Sequence, residues 1–329
     1  MPDSEPHAKE RISIRAKGLS LAYFAAVLTP TIIGLSFLFT KLALERADPI
    51  DTLMFRFAIS FAAFTVPVLL GRVRLRYRGK PLMKIVLLSA LYPIAFFTFQ
   101  AFGLEHASSS EGGIIFALTP FLTMLFASWF LKETTTGWQK ASILLSASGV
   151  AVLILMKGDG VGTADTAGIV LLLLSVLASA GYGVFARSLR NVYSPAEMSY
   201  WMQGVGFAVF LVMSVAQHAA AGNVGRMLAP MADGGFIAAV LYLGVLSSLV
   251  SSLASNYAYS KLEASKTGVF THLSMIVSIA AGVTLLGEEF TVVHVVGSAL
   301  ILAGVIGTNL LGRKRATRRT RRPTVHSIS

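Results

Sequence analysis

The chain has 329 residues, of which 54% are apolar and 13% are charged, and its mean hydropathy is +0.69. A soluble domain carries about 25% charged residues, so this composition excludes an ordinary soluble protein and indicates several membrane-spanning helices. The net charge of +12 comes from two basic segments beside the predicted membrane surface, 72–84 and 313–322, and therefore does not indicate a nucleic-acid-binding face. The absence of cysteine excludes disulfides, thiolate metal sites and a cysteine nucleophile.

Apolar runs long enough to cross a membrane recur along the whole chain. A spanning helix needs roughly 20 apolar residues, and we number the runs helices 1 to 10 in chain order. They lie at 19–41, 52–70, 82–103, 108–131, 136–156, 167–187, 198–217, 234–256, 264–286 and 290–311. The first run is too long for a signal-peptide core and has no convincing cleavage site, so we expect it to be retained.

Lys and Arg are distributed unevenly between the two sides of this arrangement. With a cytoplasmic N-terminus, 23 of the 28 lie in cytoplasmic segments, 4 lie in outer loops and Arg56 lies inside helix 2. The positive-inside rule therefore predicts an integral protein of a bacterial plasma (inner) membrane with both termini cytoplasmic. We expect the two basic segments to contact anionic lipid, with about 1 kcal/mol from each basic residue.

An internal repeat relates the two halves of the chain. A shift of 155 residues lays Gly112–Gly149 on Thr267–Gly304 without a gap, so that Glu133 coincides with Glu288. Because each half has five predicted helices, an odd number, the second half is expected to enter the membrane inverted. Inverted repeats are typical of secondary transporters, although gene duplication also builds channels and membrane enzymes.

The predicted fold is an all-α polytopic membrane protein with ten transmembrane helices arranged as two inverted five-helix repeats. We expect the tail that follows the second repeat to be disordered because it is polar and basic. The predicted segments are a cytoplasmic tail at 1–18, the first repeat at 19–157, an outer linker at 158–166, the second repeat at 167–311 and a basic cytoplasmic tail at 312–329.

Several motifs resemble the drug/metabolite transporter superfamily of the EamA type. They are GLSFLFTKLAL in helix 1, DTLMFRFAISF in helix 2, and the paired LKETTT and LGEEFT that end helices 4 and 9. The resemblance covers about 19–311 and implies a metabolite transporter whose helices 1, 3, 4, 6, 8 and 9 line a cavity. The chain departs from the family pattern at Met275, which stands where helix 4 has Pro120. We therefore expect any bend in helix 9 to come from Gly268 and Gly282.

Counting residues along each helix predicts a substrate site near the membrane midplane, some ten residues from each entry point. The predicted substrate-binding residues are Tyr92, Phe96, Gln100, Phe116, Thr119, Ser179, Tyr182, Ser248, Ser251, Thr271 and His272. The first three form a stripe at i, i+4 and i+8 that suits stacking or cation–π contact with an aromatic or amine-bearing solute. The predicted helix kinks are at Pro30, Pro93 and Pro120.

Structural alternatives to these binding roles stay open. His272 is the ionisable side chain placed near the midplane, and it either binds substrate or a proton or is satisfied by a neighbouring carbonyl or serine. The serines of helix 8 either bind a ligand or allow close helix packing while bonding their own carbonyls. Some of the aromatic side chains of helix 3 are expected to face lipid.

Two charge pairs are predicted near the membrane surfaces. Arg56 and Glu111 lie about one turn deep on the outer side of helices 2 and 4, where they are predicted to form a latch that gates the outward pathway. A static pair, or two side chains that snorkel separately, are the alternatives. The repeat counterpart of Glu111 is Lys266, which is predicted to meet Glu197 at the cytoplasmic base of helix 7.

The predicted function is secondary active transport by alternating access, with export of a small metabolite such as an amino acid or an amine-bearing or aromatic solute. The alternatives are an uptake carrier for a vitamin or similar metabolite, a channel or scramblase, and a membrane-embedded hydrolase. The sequence contains no G-x-x-x-x-G-K-[ST], H-E-x-x-H, EF-hand or G-x-S-x-G pattern. It therefore predicts no ATPase partner, no enzyme activity, no metal and no cofactor.

Overall fold

A computed structural model of the chain describes residues 5–130, 137–155, 163–189, 191–261, 270 and 272–319. Within these residues the chain is helical and contains no β-strand, which confirms the all-α class predicted from the sequence. The predictions made for Glu133, Lys266, Gly268 and Thr271 fall outside the described residues.

The helices are labelled so that their numbers match the apolar runs of the sequence. Their bounds are α1 Glu5–Leu44, α2 Pro49–Leu69, α3 Leu82–His106, α4a Ser109–Phe116, α4b Thr119–Phe130, α5 Gly137–Leu155, α6 Thr163–Leu189, α7 Pro195–Ala220, α8 Gly234–Leu241 with its continuation Tyr242–Val250 and Ser251–Lys261, α9 Leu273–Leu285 and α10 Val292–Arg319. We refer to α1–α5 as the first half and to α6–α10 as the second half.

Several of these helices have the length and composition of membrane spans. Among the described residues, six are long and apolar enough to cross a bilayer, and shorter apolar stretches occur in α5, α9 and α10. The six are Ser20–Leu44, Pro49–Leu69, Leu82–His106, Thr166–Ala186, Pro195–Ala220 and Gly234–Ala254.

The loops that join successive helices lie at two ends of the bundle. We name the end with the Arg-rich α2–α3 loop the basic face and the other end, which includes the α7–α8 loop, the opposite face.

Two helices begin with reciprocal capping boxes that involve predicted gating residues. At the start of α4a, Ser108 Oγ accepts a hydrogen bond from Glu111 N at 3.0 Å, and Glu111 Oε2 accepts one from Ser108 N at 2.9 Å. At the start of α7, Ser194 and Glu197 make the same pair of bonds at 3.2 and 2.8 Å. These bonds satisfy N–H groups that have no partner inside the helix. Both glutamates therefore have a structural role in starting a helix.

Helices α3 and α8 each contain a wide π-helical segment in the middle of the bundle. The segment in α3 is Ala90–Ala95, and within it Tyr92 leaves the helical region with φ −147° and ψ 114°. Pro93 follows Tyr92, and a proline disfavours the α conformation of the residue before it. The segment in α8 is Tyr242–Val250. Such segments occur frequently at functional sites, and these two sit in corresponding helices of the two halves.

The other predicted bends are placed differently. Pro30 lies inside the continuous helix α1. Pro120 stands in the first turn of α4b, just after the break at 117–118 that separates it from α4a. Ahead of α9, Phe270 is helical and His272 lies in a turn, and α9 itself begins at Leu273. The expectation that Gly282 bends α9 is wrong, because Gly282 lies within regular helix, where its missing side chain leaves room for the Glu288 carboxylate.

The main helix pairs join the two halves. Helix α5 packs on α10, α3 on α6, α2 on α7, and α1 on both α8 and α9. An aromatic cluster between α2, α3, α7 and α8 includes stacked rings of Phe57 and Phe210, 5.4 Å apart. A second apolar cluster packs α4a against α1, α6 and α9 around Ile114 and Ile115. Because both clusters draw described residues from each half, the two halves pack into a common core.

Candidate functional site

A cavity of about 420 Å³ lies between the two halves. Its walls come from α1, α2, α3 and α4a of the first half and from α6, α7 and α8 of the second. Pockets of roughly 300–1,000 Å³ accommodate small organic ligands. The substrate-binding residues predicted from the sequence that line it are Tyr92, Phe96, Gln100, Phe116, Ser179, Tyr182, Ser248 and Ser251.

One wall of the cavity is aromatic. Tyr92, displaced from helical geometry before Pro93, stacks on Phe96 with ring centroids 5.0 Å apart and on Tyr182 of α6 with centroids 4.8 Å apart. Phe97 lies against the same tyrosine at 5.0 Å. Because Tyr182 belongs to the second half, this stack joins the two halves at the cavity and offers flat faces on which a ring or an apolar side chain would pack.

Arg56 is the one charged side chain among the described residues that line the cavity. Only 3% of it is exposed. Its guanidinium carbon lies 4.2 Å from the centre of the Phe97 ring, and Nη2 donates to Ser247 Oγ at 3.3 Å. The Nε–H group is buried without a hydrogen-bond partner in the described part of the chain. Arg56 was predicted as a gating residue, and the structure places it in the wall of the cavity.

The serines of α8 line the cavity but also bond to their own helix. Ser251 Oγ donates to the carbonyl of Ser247, and Ser248 Oγ donates to the carbonyl of Leu243 at 3.0 Å. These bonds satisfy the hydroxyl protons within the helix. The hydroxyl oxygens keep lone pairs that would accept from a ligand. The two interpretations of these serines are therefore compatible.

Two described residues from the predicted site are not among the residues that line the cavity. Thr119 donates to the carbonyl of Phe116 at 2.7 Å, at the break between α4a and α4b. His272 precedes α9, and its Nδ1 is buried without a hydrogen-bond partner in the part of the chain that the structure describes. The substrate-binding roles of Thr119 and His272 therefore stay predictions.

Helices α2 and α7 contribute cavity residues that the sequence analysis did not assign to substrate binding. They are Arg56 of α2 and Ser199, Met202 and Gln203 of α7. Gln203 is mostly buried, and its Oε1 has no hydrogen-bond partner within the described residues. The signal that could have found this glutamine is its position near the start of an apolar span, where an amide is costly unless it serves a packing or binding role.

The predicted Arg56–Glu111 latch is absent from this conformation. Glu111 is held by its own capping box at the start of α4a, and its Oε1 lies 3.7 Å from His294 Nε2 of α10. Arg56 lies seven residues into α2, about 10 Å below the start of that helix. The two side chains therefore sit at different depths, and each has contacts of its own.

At the basic face, Glu197 pairs with a lysine from the α2–α3 loop. Lys80 Nζ lies 2.6 Å from Glu197 Oε2, and Arg76 N donates to Oε1 at 2.8 Å. Tyr77 Oη donates to the Glu197 carbonyl at 2.8 Å. Burial and the nearby Glu197 charge raise the pKa of Tyr77, so it stays a neutral donor. The predicted partner of Glu197, Lys266, lies outside the described residues.

At the opposite face, Glu288 caps a helix of the other half. Its carboxylate accepts from Ser109 N at 2.5 Å, from Ser110 N at 2.9 Å and from Ser110 Oγ at 2.6 Å. Ser278 Oγ of α9 donates to the carbonyl of Ser109 at 2.7 Å. A carboxylate at a helix N-terminus satisfies unpaired N–H groups and complements the positive end of the helix dipole. These bonds hold α4a against α9.

A second buried polar network at the opposite face was not foreseen. Ser214 Oγ donates to Asp51 Oδ1 at 2.5 Å, and His218 Nε2 lies 2.9 Å from Asp51 Oδ2. His218 Nδ1 lies 2.7 Å from Asn223 Oδ1. Asp51 and His218 fall just beyond the predicted spans 52–70 and 198–217, where they read as ordinary surface residues. Only the packing of α2 on α7 brings them together and buries them.

The match to known proteins covers nearly the whole helical bundle. Residues 20–155 and 166–310 each match the EamA-like transporter family. The chain belongs to the EamA-like transporter family. This EamA protein is therefore an integral membrane protein and a transporter of a small-molecule substrate rather than an enzyme, as the sequence motifs predicted.

Individual relatives agree with this assignment. The protein is 47% identical over 297 residues to the uncharacterized transporter YcxC of Bacillus subtilis, covering 90% of this chain and 95% of that one. It is 29% identical to an uncharacterized transporter of Archaeoglobus fulgidus, over 86% of this chain and 96% of that one. It is 27% identical to a probable terminal-alkyne amino-acid exporter of Streptantibioticus cattleyicolor, over 90% and 97% of the two chains.

The fold has a counterpart among solved structures. A crystal structure that is 18% identical in sequence aligns with a TM-score of 0.57 over 91% of this chain and 99% of that one. At this level of identity the likeness concerns the fold alone.

Proposed function

We propose that this EamA protein is a secondary active transporter that moves a small metabolite by alternating access around the cavity between its halves. The observation that carries the proposal is the composition of the cavity wall, which draws on α1–α4a and on α6–α8. A rocking motion of one half against the other would open such a site to each side in turn. The Glu288 contacts between α4a and α9 would then close the opposite face and break when that face opens.

We propose the inverted ten-helix organisation with repeats at 19–157 and 167–311. Two observations support it. The family matches two separate segments, 20–155 and 166–310. Breaks also occur at equivalent places in the two halves, at 117–118 between α4a and α4b and at His272 before α9.

Export is the proposed direction. The distribution of Lys and Arg supports a cytoplasmic basic face and cytoplasmic termini. The cavity wall includes Ser199, only four residues from the start of α7 at the basic face, which supports loading from the cytoplasm. The basic α2–α3 loop and C-terminal tail would lie against anionic lipid at the same face.

The proposed substrate is an amino acid or another small solute with an apolar or aromatic part. The Streptantibioticus relative is a probable terminal-alkyne amino-acid exporter, and its similarity to this chain extends over nearly the whole of both proteins. The stacked rings of Tyr92, Phe96 and Tyr182 support an apolar contact surface in the site. His272 keeps its proposed proton-linked role, since its Nδ1 is buried without a partner among the described residues.

Counterflow in proteoliposomes tests the proposal. Vesicles preloaded with unlabelled amino acids, with and without a pH gradient, should accumulate the labelled form faster than empty vesicles. Tyr92→Ala should raise the half-saturation concentration, whereas Tyr23→Ala, an exposed residue of α1, should not. Flux without preloading stimulation would identify a channel or scramblase, and a chemically altered solute would identify a hydrolase. Transport that requires the outer side to be loaded first would favour the uptake alternative.

A further inference from the structure

Arg56 is a buried cation that faces the cavity, and no carboxylate among the described residues pairs with it. Within the described residues its guanidinium lies over the Phe97 ring and donates one hydrogen bond of 3.3 Å to the neutral hydroxyl of Ser247. A guanidinium carries five N–H donors in a fixed planar fork. Most of that hydrogen-bonding capacity is therefore unused by the described protein, and Nε is buried without a partner.

An unpaired charge at this depth is energetically unfavourable. Charged side chains within membrane spans almost always pair with one another or line an aqueous or ligand-filled space. A ring face and a hydroxyl offset only part of the desolvation of a guanidinium, whereas a carboxylate matches its fork with two parallel hydrogen bonds. The missing partner of Arg56 is thus expected to be an anion that is present only part of the time.

The rest of the cavity wall is consistent with an anion from the solute. Among the described lining residues none is Asp or Glu, so no carboxylate among them competes for Arg56. The other polar groups are neutral hydroxyls and amides, including Gln203, whose Oε1 has no partner within the described residues. The described wall, with Arg56 as its one cation and no carboxylate, would attract acids and repel solutes that carry only a positive charge.

We infer that Arg56 binds the carboxylate of the transported solute, so that the substrate is an acid or a zwitterion and not a simple cationic amine. The carboxylate would accept bonds from the guanidinium while the apolar part of the solute packs on the Tyr92 and Tyr182 rings. The inference rests on the proposed function, because it takes the cavity as the transport site. It reassigns Arg56 from an outer gate to the anchor of the substrate.

Binding to the purified full-length protein in nanodiscs tests the inference without transport. The probes are the L-amino acids, the amide of each and the amine left by removing its carboxyl group, supplemented by 3-phenylpropionate, which has a carboxylate but no amine. The readout is the shift in melting temperature at equal probe concentration. We expect stabilisation only by probes that carry a carboxylate. Stabilisation by an amide or amine equal to that by its acid, or no stabilisation by any acid, would overturn the inference.

Substitutions identify the residue responsible. Arg56→Gln should weaken binding of the best acid by about 10- to 100-fold, the effect of losing a charged hydrogen-bond partner. Arg56→Lys should weaken it less, and the control Arg226→Gln, at an exposed arginine of the α7–α8 loop, should leave it within about threefold. Unchanged affinity in Arg56→Gln would show that Arg56 has a structural role instead. The comparison of acids with amides and amines in the unaltered protein stands even if Arg56→Gln does not fold.

Counterflow distinguishes failure of this inference from failure of the proposed function. Binding of acids without counterflow would remove the transport mechanism and leave Arg56 as a carboxylate site. Counterflow of amines alone would support alternating access and remove the role of Arg56.

Discussion

Ser146 of α5 donates a hydrogen bond of 3.4 Å to the carbonyl of Ile301 in α10. Ile301 is also the residue that coincides with Ser146 when the first half is shifted by 155 residues onto the second. Two equivalent residues meet only on the axis that relates them. The neighbouring contacts are reciprocal, since a Cβ on Gly149 would lie 2.7 Å from Gly297 O and one on Gly304 would lie 2.6 Å from Ser142 O. From the pair Ser142–Gly304 to the pair Gly149–Gly297 the residue numbers rise along α5 and fall along α10, as an inverted repeat requires.

Close approach at this axis requires glycine, so adding one methyl group should destabilise the bundle. A Cβ at Gly304 would meet the Ser142 carbonyl at 2.6 Å and Ser146 N at 2.7 Å, both of them backbone atoms that cannot rotate away. Gly304→Ala should lower the free energy of unfolding by about 1–3 kcal/mol. Gly225→Ala is the matched control, because nothing lies within 4 Å of its added carbon. Equal melting temperatures in detergent for the two variants would contradict the close packing.

Glu288 should stabilise the closed opposite face, whereas its neighbour Glu289 should not. Glu288→Gln keeps the shape of the side chain but removes the charge that complements the α4a N-terminus. We expect a loss of about 1–2 kcal/mol in stability, together with faster reaction of a cysteine introduced at Ser109, which bonds to Glu288 through its backbone N–H, with an impermeant maleimide. Glu289 is exposed, so Glu289→Gln should change neither measurement. If the two variants behave alike, the cap does not hold α4a in place.

Arg56 and Glu111 should behave as independent residues. The charge-swapped pair, Arg56→Glu with Glu111→Arg, should show no recovery over the single variants, because each side chain has its own partners in the structure. Residues without shared contacts have coupling energies within about 0.5 kcal/mol of zero. A double-mutant cycle on initial transport rate measures this coupling. Substantial recovery would show that the two meet in another conformation and would restore the latch.

The orientation predicts which surface residues react from outside the cell. Gly225 is exposed in the α7–α8 loop at the opposite face, and Arg78 is exposed in the basic loop. In the naturally cysteine-free chain, Gly225→Cys should be labelled by an impermeant maleimide in intact cells, and Arg78→Cys only after the membrane is permeabilised. The reverse pattern would place the termini outside and refute the assignment from Lys and Arg.

Asp233 should make stability depend on pH at the acid end. Its carboxylate accepts from Phe236 N at 2.7 Å at the start of α8 and pairs with Arg46, and these contacts lower its pKa. A lowered folded pKa gives stability that is present above the unfolded value, about 3.9, and that is lost as pH falls through the folded value. Asp233→Asn should therefore be less stable than the unaltered protein at pH 7 and equally stable in strong acid. Arg46→Gln should lower the stability at pH 7 by less, since the bond from Phe236 N to Asp233 remains. If Asp233→Asn is still less stable than the unaltered protein in strong acid, the charge of Asp233 is not the cause of its effect.

The sequence by itself indicated the all-α membrane class, the internal repeat and part of the candidate site. Runs of about 20 apolar residues specify spanning helices, because the bilayer core holds no water and the backbone N–H and C=O groups must bond to each other within the helix. The stripe of Tyr92, Phe96 and Gln100 was predicted to line a cavity, since spacing along a helix fixes which side chains share a face. The paired glutamates marked the repeat, and one of them, Glu288, lies at a contact between the halves.

Only the tertiary structure decided which side chains are partners. Depth counting places Arg56 and Glu111 near one side of the membrane, but the packing of α2 on α7 and α8 and the capping box of α4a give them different neighbours. The same packing brings Arg56 to Ser247 in the cavity wall and Asp51 to His218, and each of these contacts joins residues more than 150 positions apart in the chain. Helix periodicity contains no information about such pairings, because they depend on how two separate helices cross and which faces they bury together.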